Sequence, residues 1–146
     1  MNYQRLDSRI CLDEGFRAEP YLDTVGVATI GYGTTRIFGR PVTLSDESIS
    51  EANAREVMRA ELFLSCMDAQ SLFTRFDDMN HVRQEVLVNM AYNLGKTRLS
   101  GFVKMIEAAE TLNYFDMAQQ MKDSKWFRQV GQRSMRLYYA MLNGEW

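Results

Sequence analysis

The spacing of apolar residues predicts helices at the start of the chain and through most of its second part. A first helix is predicted over 3–14, where Leu6 and Ile10 are four residues apart and Gly15 follows as a stop signal. A long helix is predicted from Ser50, a suitable N-cap, and its apolar stripe contains Val57, Met58, Leu62 and Cys66.

Further helices are predicted along the rest of the chain. The strongest of them ends at Gly95 and carries apolar residues at Val82, Val86, Leu87, Met90, Ala91 and Leu94. Ser100 is expected to cap the next helix, which contains Phe102, Ile106 and Ala109. Shorter helices are expected around 115–121 and 133–142.

The segment between these helical regions has a different pattern. Turn signals occur at 23–26, 31–33 and 39–41, and residues that favour strands lie between them at 27–30 and 34–38. This pattern predicts a small antiparallel sheet of two or three short strands. Because strands and helices are segregated along the chain, the expected fold class is α+β, in a single domain over 1–146.

Composition and charge narrow the function. The net charge of −2 and the pI near 5.5 argue against a general nucleic-acid-binding protein. A basic stretch within 122–136 fits either a solvated helix face or a contact with an anionic polymer; its cations are Lys122, Lys125, Arg128, Arg133 and Arg136.

Cysteine usage and the absence of targeting segments indicate where the protein is made. Cys11 and Cys66 lie in apolar helical patterns, which favours buried thiols over a disulfide. No signal peptide and no membrane-spanning run is evident, so we expect synthesis in the cytoplasm and no stable membrane association.

The most informative segment runs from Glu14 to Gly33. Glu14 ends the first predicted helix, Asp23 opens a turn, and Thr29 lies in the strand that returns from it. Glycoside hydrolysis requires two carboxyl groups in different protonation states, and a hydroxyl beside them could position water. Taken singly, Glu14 and Asp23 are better explained by ordinary roles, as a solvated charge at a helix end and an aspartate that stabilises a turn.

As a whole, this segment resembles the catalytic signature of the T-even phage lysozymes and related endolysins, glycoside hydrolase family 24. That signature is Glu, eight residues, Asp, five residues and Thr, followed by Ile-Gly-Tyr-Gly. The similarity continues in order through 88–95, 101–102, 124–127, 132–133 and 143–146. It implies a lysozyme-like fold with a sheet lobe over about 15–49. The helical lobe would comprise about 50–146 together with helix 3–14, and the long helix would join the two.

The resemblance also implies roles for individual residues. Glu14 matches the general acid, Asp23 the second carboxylate of an inverting enzyme, and Thr29 the residue that helps hold the attacking water. Arg133 matches an arginine that pairs with the catalytic glutamate. Asn89 and Asn93 match polar residues that line the cleft.

The implied activity is hydrolysis of the β-1,4 bond between N-acetylmuramic acid and N-acetylglucosamine in bacterial peptidoglycan. No metal or cofactor is expected, and the protein is expected to be a monomer. An endolysin would reach the periplasmic cell wall through a holin-type pore protein. The alternatives are a peptidoglycan-binding module without turnover and a lytic transglycosylase. A virion-associated lysozyme and a prophage copy also stay open.

Two residues depart from the family pattern or fall outside it. Thr34 stands where T-even relatives have a histidine, so an ion pair made by that histidine is not expected. His81, the only histidine, matches no catalytic position and is expected at the surface near a helix start.

Overall fold

The computed structural model describes all residues, 1–146. The first helix, α1, spans Tyr3–Glu14, as the apolar spacing predicted. Leu6 and Ile10 are fully buried, and Gly15, with a φ of +69°, donates its N–H to the Cys11 carbonyl and ends the helix. Glycine adopts this left-handed conformation without steric cost, which explains its position after the last turn.

The strands form two separate hairpins, so the prediction of one sheet with two or three strands was wrong in its topology. In the first, β1 (Arg17–Leu22) pairs antiparallel with β2 (Ala28–Gly31). In the second, β3 (Arg36–Ile37) pairs with β4 (Arg40–Pro41). Thr34 makes only an isolated bridge with Ile30, so the stretch 34–38 is not one strand.

The long helix α2 spans Glu51–Leu72, and Ser50 accepts a hydrogen bond from the Asn53 N–H, as expected of its cap. Asp7 ties α1 to α2, because its carboxylate accepts hydrogen bonds from the guanidinium groups of Arg55 and Arg59. Burial alone would raise the pKa of Asp7, but these two arginines outweigh it and lower the pKa. The end of α1 is therefore held by an ion pair two turns before Glu14.

Six helices complete the chain. They are α3 (His81–Leu94), α4 (Lys96–Ser100), α5 (Val103–Glu110), α6 (Tyr114–Lys122), α7 (Lys125–Val130) and α8 (Gln132–Asn143), with a short 3-10 turn at Phe76–Asp78. Gly95 ends α3, as predicted, and exposed His81 begins it. The prediction that Ser100 caps a helix was wrong: Ser100 ends α4, and its hydroxyl donates back to the Thr97 carbonyl.

The chain divides into two compact units, 4–63 and 1–3 with 64–146. The N-terminal unit contains most of α1, both hairpins and the first part of α2, so α1 is grouped with the strands here and not with the later helices. The C-terminal unit packs its helices around buried apolar side chains such as Leu87, Met105, Met117 and Leu137. Each unit therefore has its own core.

Buried Glu85 links both ends of the chain within the C-terminal unit. Its carboxylate accepts a hydrogen bond from the Asn2 N–H and another from the Trp146 indole N–H, each 2.9 Å long. Cys11 and Cys66 are free thiols, as expected, but only Cys66 is fully buried and Cys11 is partly exposed. None of the helices combines the length and the apolar composition needed to span a lipid bilayer.

Candidate active site

The Glu14 carboxyl group lies against the backbone of Gly33. A Cβ atom built on Gly33 would be only 2.6 Å from Glu14 Oε2 and 3.2 Å from its carboxyl carbon. Gly33 also has a φ of +76°, a conformation that disfavours any side chain. The glycine is therefore required twice, for the turn after β2 and for the close approach of Glu14.

Asp23 is held by the turn that it opens. Its Oδ1 atom accepts hydrogen bonds from the N–H groups of Val25, at 3.0 Å, and Val27, at 2.8 Å. Its own N–H donates to the Val27 carbonyl, which closes the turn between β1 and β2. These bonds orient the carboxylate through one oxygen, and Asp23 stays half-buried at the end of the hairpin.

Thr29 lies on β2 and is almost completely buried. Its hydroxyl donates to the Val27 carbonyl over 2.9 Å. Since the hydroxyl proton is used in that bond, the Thr29 oxygen can act toward another molecule only as a hydrogen-bond acceptor.

Tyr21 is a further residue of this region, although it was not among the predicted site residues. It is paired directly with Thr29 across the hairpin. Burial raises the pKa of Tyr21; the Arg17 guanidinium opposes this increase, while the Glu14 and Asp23 carboxylates add to it. Both carboxylates thus contribute to the raised pKa of one phenol, and that phenol belongs to the register partner of Thr29.

Tyr21 and Gly33 left only weak signals in the sequence. Tyr21 is two residues before Asp23, so strand alternation puts both side chains on one face. Gly33 belongs to the Ile-Gly-Tyr-Gly run, but a glycine pattern does not reveal which side chain approaches it.

The other predicted site residues belong to the C-terminal unit. Arg133 is buried and donates from Nε to Asn89 Oδ1 over 2.9 Å, and Asn89 is only 1% exposed. Asn93, one turn further along α3, accepts a 2.7 Å hydrogen bond from the Trp126 indole N–H. Asn89 and Arg133 therefore form one fixed pair, and the carbonyl oxygen of Asn93 is bound to a side chain of α7.

A groove of about 450 Å³ opens between the start of α5 and the end of α6. Its lining includes Phe102, Lys104, Gln120 and Ser124 and none of the six predicted site residues. The basic stretch is divided in the structure, because Arg133 is buried while the other four cations are exposed. No group of three or more His, Cys, Asp or Glu side chains is arranged to hold a metal ion.

Thr34 occupies the position at which the sequence departs from its relatives. It is buried, and its hydroxyl donates to Glu61 Oε2 over 2.9 Å. At the position where the relatives have a histidine, this protein therefore has a neutral hydroxyl that is hydrogen-bonded to a carboxylate.

The fold is that of a phage-type lysozyme. An endolysin from Escherichia coli O157:H7 phage FAHEc1 superposes with a TM-score of 0.79, at 22% identity, over 97% of this chain and 93% of that one. This similarity confirms the α+β, lysozyme-like fold class that the sequence predicted.

The chain belongs to the phage lysozyme family, whose model matches residues 12–139. It is 25% identical to "Probable T4-type lysozyme 1" of Dictyostelium discoideum, over 90% of each chain. It is also 27% identical to "Pre-baseplate central spike protein Gp5" of Enterobacteria phage T4, over 90% of this chain and 26% of that protein. The resemblance to T-even phage lysozymes is thereby confirmed at the level of the family.

Proposed function

We propose that this phage lysozyme family member hydrolyses the β-1,4 bond between N-acetylmuramic acid and N-acetylglucosamine in bacterial peptidoglycan. The observation that carries the proposal is the contact of the Glu14 carboxyl group with Gly33, just after the strand that carries Thr29, in a hairpin whose turn Asp23 closes. Glycoside hydrolysis requires two carboxyl groups, and a hydroxyl near them can help to hold the attacking water.

In the proposed reaction, Glu14 donates its proton to the glycosidic oxygen as the bond from that oxygen to the sugar carbon C1 breaks. Water attacks C1 from the opposite face and passes its proton to Asp23, so one water is added and the anomeric configuration is inverted. Water bound there needs acceptors for its hydrogens. Asp23 is an acceptor when ionised, and the Thr29 oxygen is an acceptor because its proton is used by Val27.

Arg133 and the two asparagines keep proposed roles from the family resemblance. The Asn89 bond to the Arg133 Nε atom would hold the guanidinium in one orientation. Asn93 is proposed to contact substrate through its amide nitrogen, since its oxygen is bound to Trp126. Arg133→Gln should then lower kcat without unfolding the C-terminal unit.

The decisive test compares Glu14→Gln with Glu19→Gln, which changes an exposed glutamate on β1. Release of reducing ends from purified peptidoglycan should fall about 10²- to 10⁴-fold in Glu14→Gln and stay unchanged in the control. Both variants should keep the thermal unfolding temperature of the parent. Full activity in Glu14→Gln would refute the proposal.

The products separate this hydrolase from its alternatives. Hydrolysis adds one water to each fragment pair, whereas a lytic transglycosylase leaves an anhydro sugar that lacks it, and mass spectrometry distinguishes the two. NMR of the first product reports whether the configuration is inverted. Binding to peptidoglycan without any fragment release would indicate a module that has lost turnover.

The cellular setting that we propose is host lysis. The enzyme would act on periplasmic peptidoglycan after a holin-type pore protein permeabilises the membrane. Co-expression with a holin should lyse cells, while either protein alone should not. Activity found only in purified virions would favour the other role.

A further inference from the structure

Tyr21 occupies a position in the hairpin that faces the proposed reaction centre. Its register partner is Thr29, and directly opposed residues of an antiparallel pair have Cβ atoms about 4.5–5.5 Å apart on one face of the hairpin. Asp23, two residues further along, projects to the same face by strand alternation. The phenol therefore stands beside the two side chains that are proposed to hold water.

Arg17 holds the Tyr21 ring. Its guanidinium carbon lies 3.9 Å from the ring centroid, a cation–π contact within strand β1. The pairing register shifts between residues 17 and 21, and this irregularity allows both side chains to meet although they are four residues apart. Such a contact restricts the ring and keeps the hydroxyl in one place.

The three proposed catalytic side chains do not supply a hydrogen-bond donor for the sugar hydroxyl and acetamido oxygens. Asp23 is an acceptor when ionised, the Thr29 proton is used by Val27, and the Glu14 proton is needed for the glycosidic oxygen. The hydroxyl and acetamido oxygens of an N-acetylated sugar are acceptors that require donors. Tyr21 remains a protonated phenol, because burial and both neighbouring carboxylates raise its pKa.

We propose that the Tyr21 hydroxyl donates a hydrogen bond to an oxygen of the sugar whose glycosidic bond is cleaved, and that Arg17 positions the ring for this contact. The inference rests on the proposed function and extends it by one substrate-contacting residue and one positioning residue. Neither residue takes part in proton transfer.

The test is Tyr21→Phe, which removes only the hydroxyl. Its matched control is Tyr114→Phe in the C-terminal unit, where Arg83 lies 3.7 Å over the ring in the same kind of stack. For Tyr21→Phe, kcat/KM on purified peptidoglycan should fall about tenfold, the range of one neutral hydrogen bond, at an unchanged unfolding temperature. The control should keep the kcat/KM of the parent.

Arg17→Met provides a second readout. If Arg17 acts through Tyr21, the single substitution lowers kcat/KM and the double variant with Tyr21→Phe loses no more than Tyr21→Phe alone. Additive losses would assign Arg17 a separate role and refute the positioning part of the inference.

Binding separates failure of this inference from failure of the proposed function. In a Glu14→Gln background, a purified oligosaccharide of alternating N-acetylmuramic acid and N-acetylglucosamine should bind about tenfold more weakly when Tyr21→Phe is added. An active parent with unchanged kcat/KM and binding in Tyr21→Phe overturns the inference alone. A parent that neither binds nor cleaves overturns the proposed function and this inference with it.

Discussion

The contact between Glu14 and Gly33 allows a sharp test of how the proposed acid is positioned. Gly33→Ala would put a Cβ atom 2.6 Å from Glu14 Oε2, whereas ordinary contact begins at 3.4 Å, so the carboxyl group must retreat by about 0.8 Å. Because this group ends a flexible side chain, it can move at little cost in stability. A displacement approaching 1 Å at a reacting group costs about 100-fold in rate, and we expect kcat to fall by that factor.

The control for backbone strain is Gly39→Ala, in the turn between β3 and β4. Gly39 has a φ of +80°, close to the +76° of Gly33, and a Cβ atom there would meet nothing within 4 Å. Alanine in the left-handed region costs about 1–2 kcal/mol at either position. The two variants should therefore unfold at similar denaturant concentrations, and only Gly33→Ala should lose activity.

The assay is the initial rate of reducing-end release at saturating peptidoglycan, with urea unfolding of both variants measured in parallel. We expect Gly33→Ala to be about 100-fold slower than Gly39→Ala. If the two rates differ by no more than about threefold, the contact of Glu14 with Gly33 does not position Glu14 for catalysis. A large rate loss in both variants would attribute the effect to backbone strain.

Two further substitutions test the ion pair and the buried carboxylate described above. Asp7→Asn should lower the free energy of unfolding by about 1–3 kcal/mol at pH 7. Because the folded pKa of Asp7 is depressed, the difference from the parent should narrow as the pH falls below about 4, and urea unfolding between pH 7 and pH 2.5 measures it. In Glu85→Gln, one of the two carboxylate oxygens that accept the N–H groups of Asn2 and Trp146 becomes an NH₂ group, so a donor faces a donor. The free energy of unfolding should fall by about 1–3 kcal/mol. Glu145→Gln, at an exposed position, should unfold like the parent.

Helix positions could be predicted wherever the signal is local. Residues 3–14 carry their apolar spacing and their glycine stop in consecutive sequence, and Ser50 caps α2 through a residue three positions away. Ser100 misled because serine can bond in either direction along the chain. Its hydroxyl bonds backward to Thr97, and α5 begins after Phe102 without a side-chain cap.

The second hairpin could not be predicted, because its turn uses an unfavourable residue. Phe38 has a φ of +49° and is 98% exposed, and Gly39 follows with a φ of +80°. Residues with positive φ in such turns are usually Gly, Asn or Asp, so the phenylalanine gave no turn signal. The prediction therefore extended a strand through 34–38 where the chain reverses.

The site shows a similar division between local and tertiary information. Glu14, Asp23 and Thr29 could be selected because their spacing resembles a family signature, but that spacing does not show the contacts that orient their side chains. The contact between Glu14 and Gly33 forms only because the end of α1 packs against a turn nineteen residues later in the chain. Tyr21 is opposite Thr29 only because the first hairpin adopts that register. Spacing alone does not determine such register, since one shifted pair would turn Tyr21 to the other face.

Thr34 shows that a position which departs from the family pattern can make a side-chain contact of its own. Its hydroxyl donates a hydrogen bond to the Glu61 carboxylate. A histidine partner would make the contact strongest when protonated, so it would weaken as the pH rises through the histidine pKa. Threonine does not titrate in this range. At position 34 the contact with Glu61 therefore lacks the pH dependence that a histidine would bring.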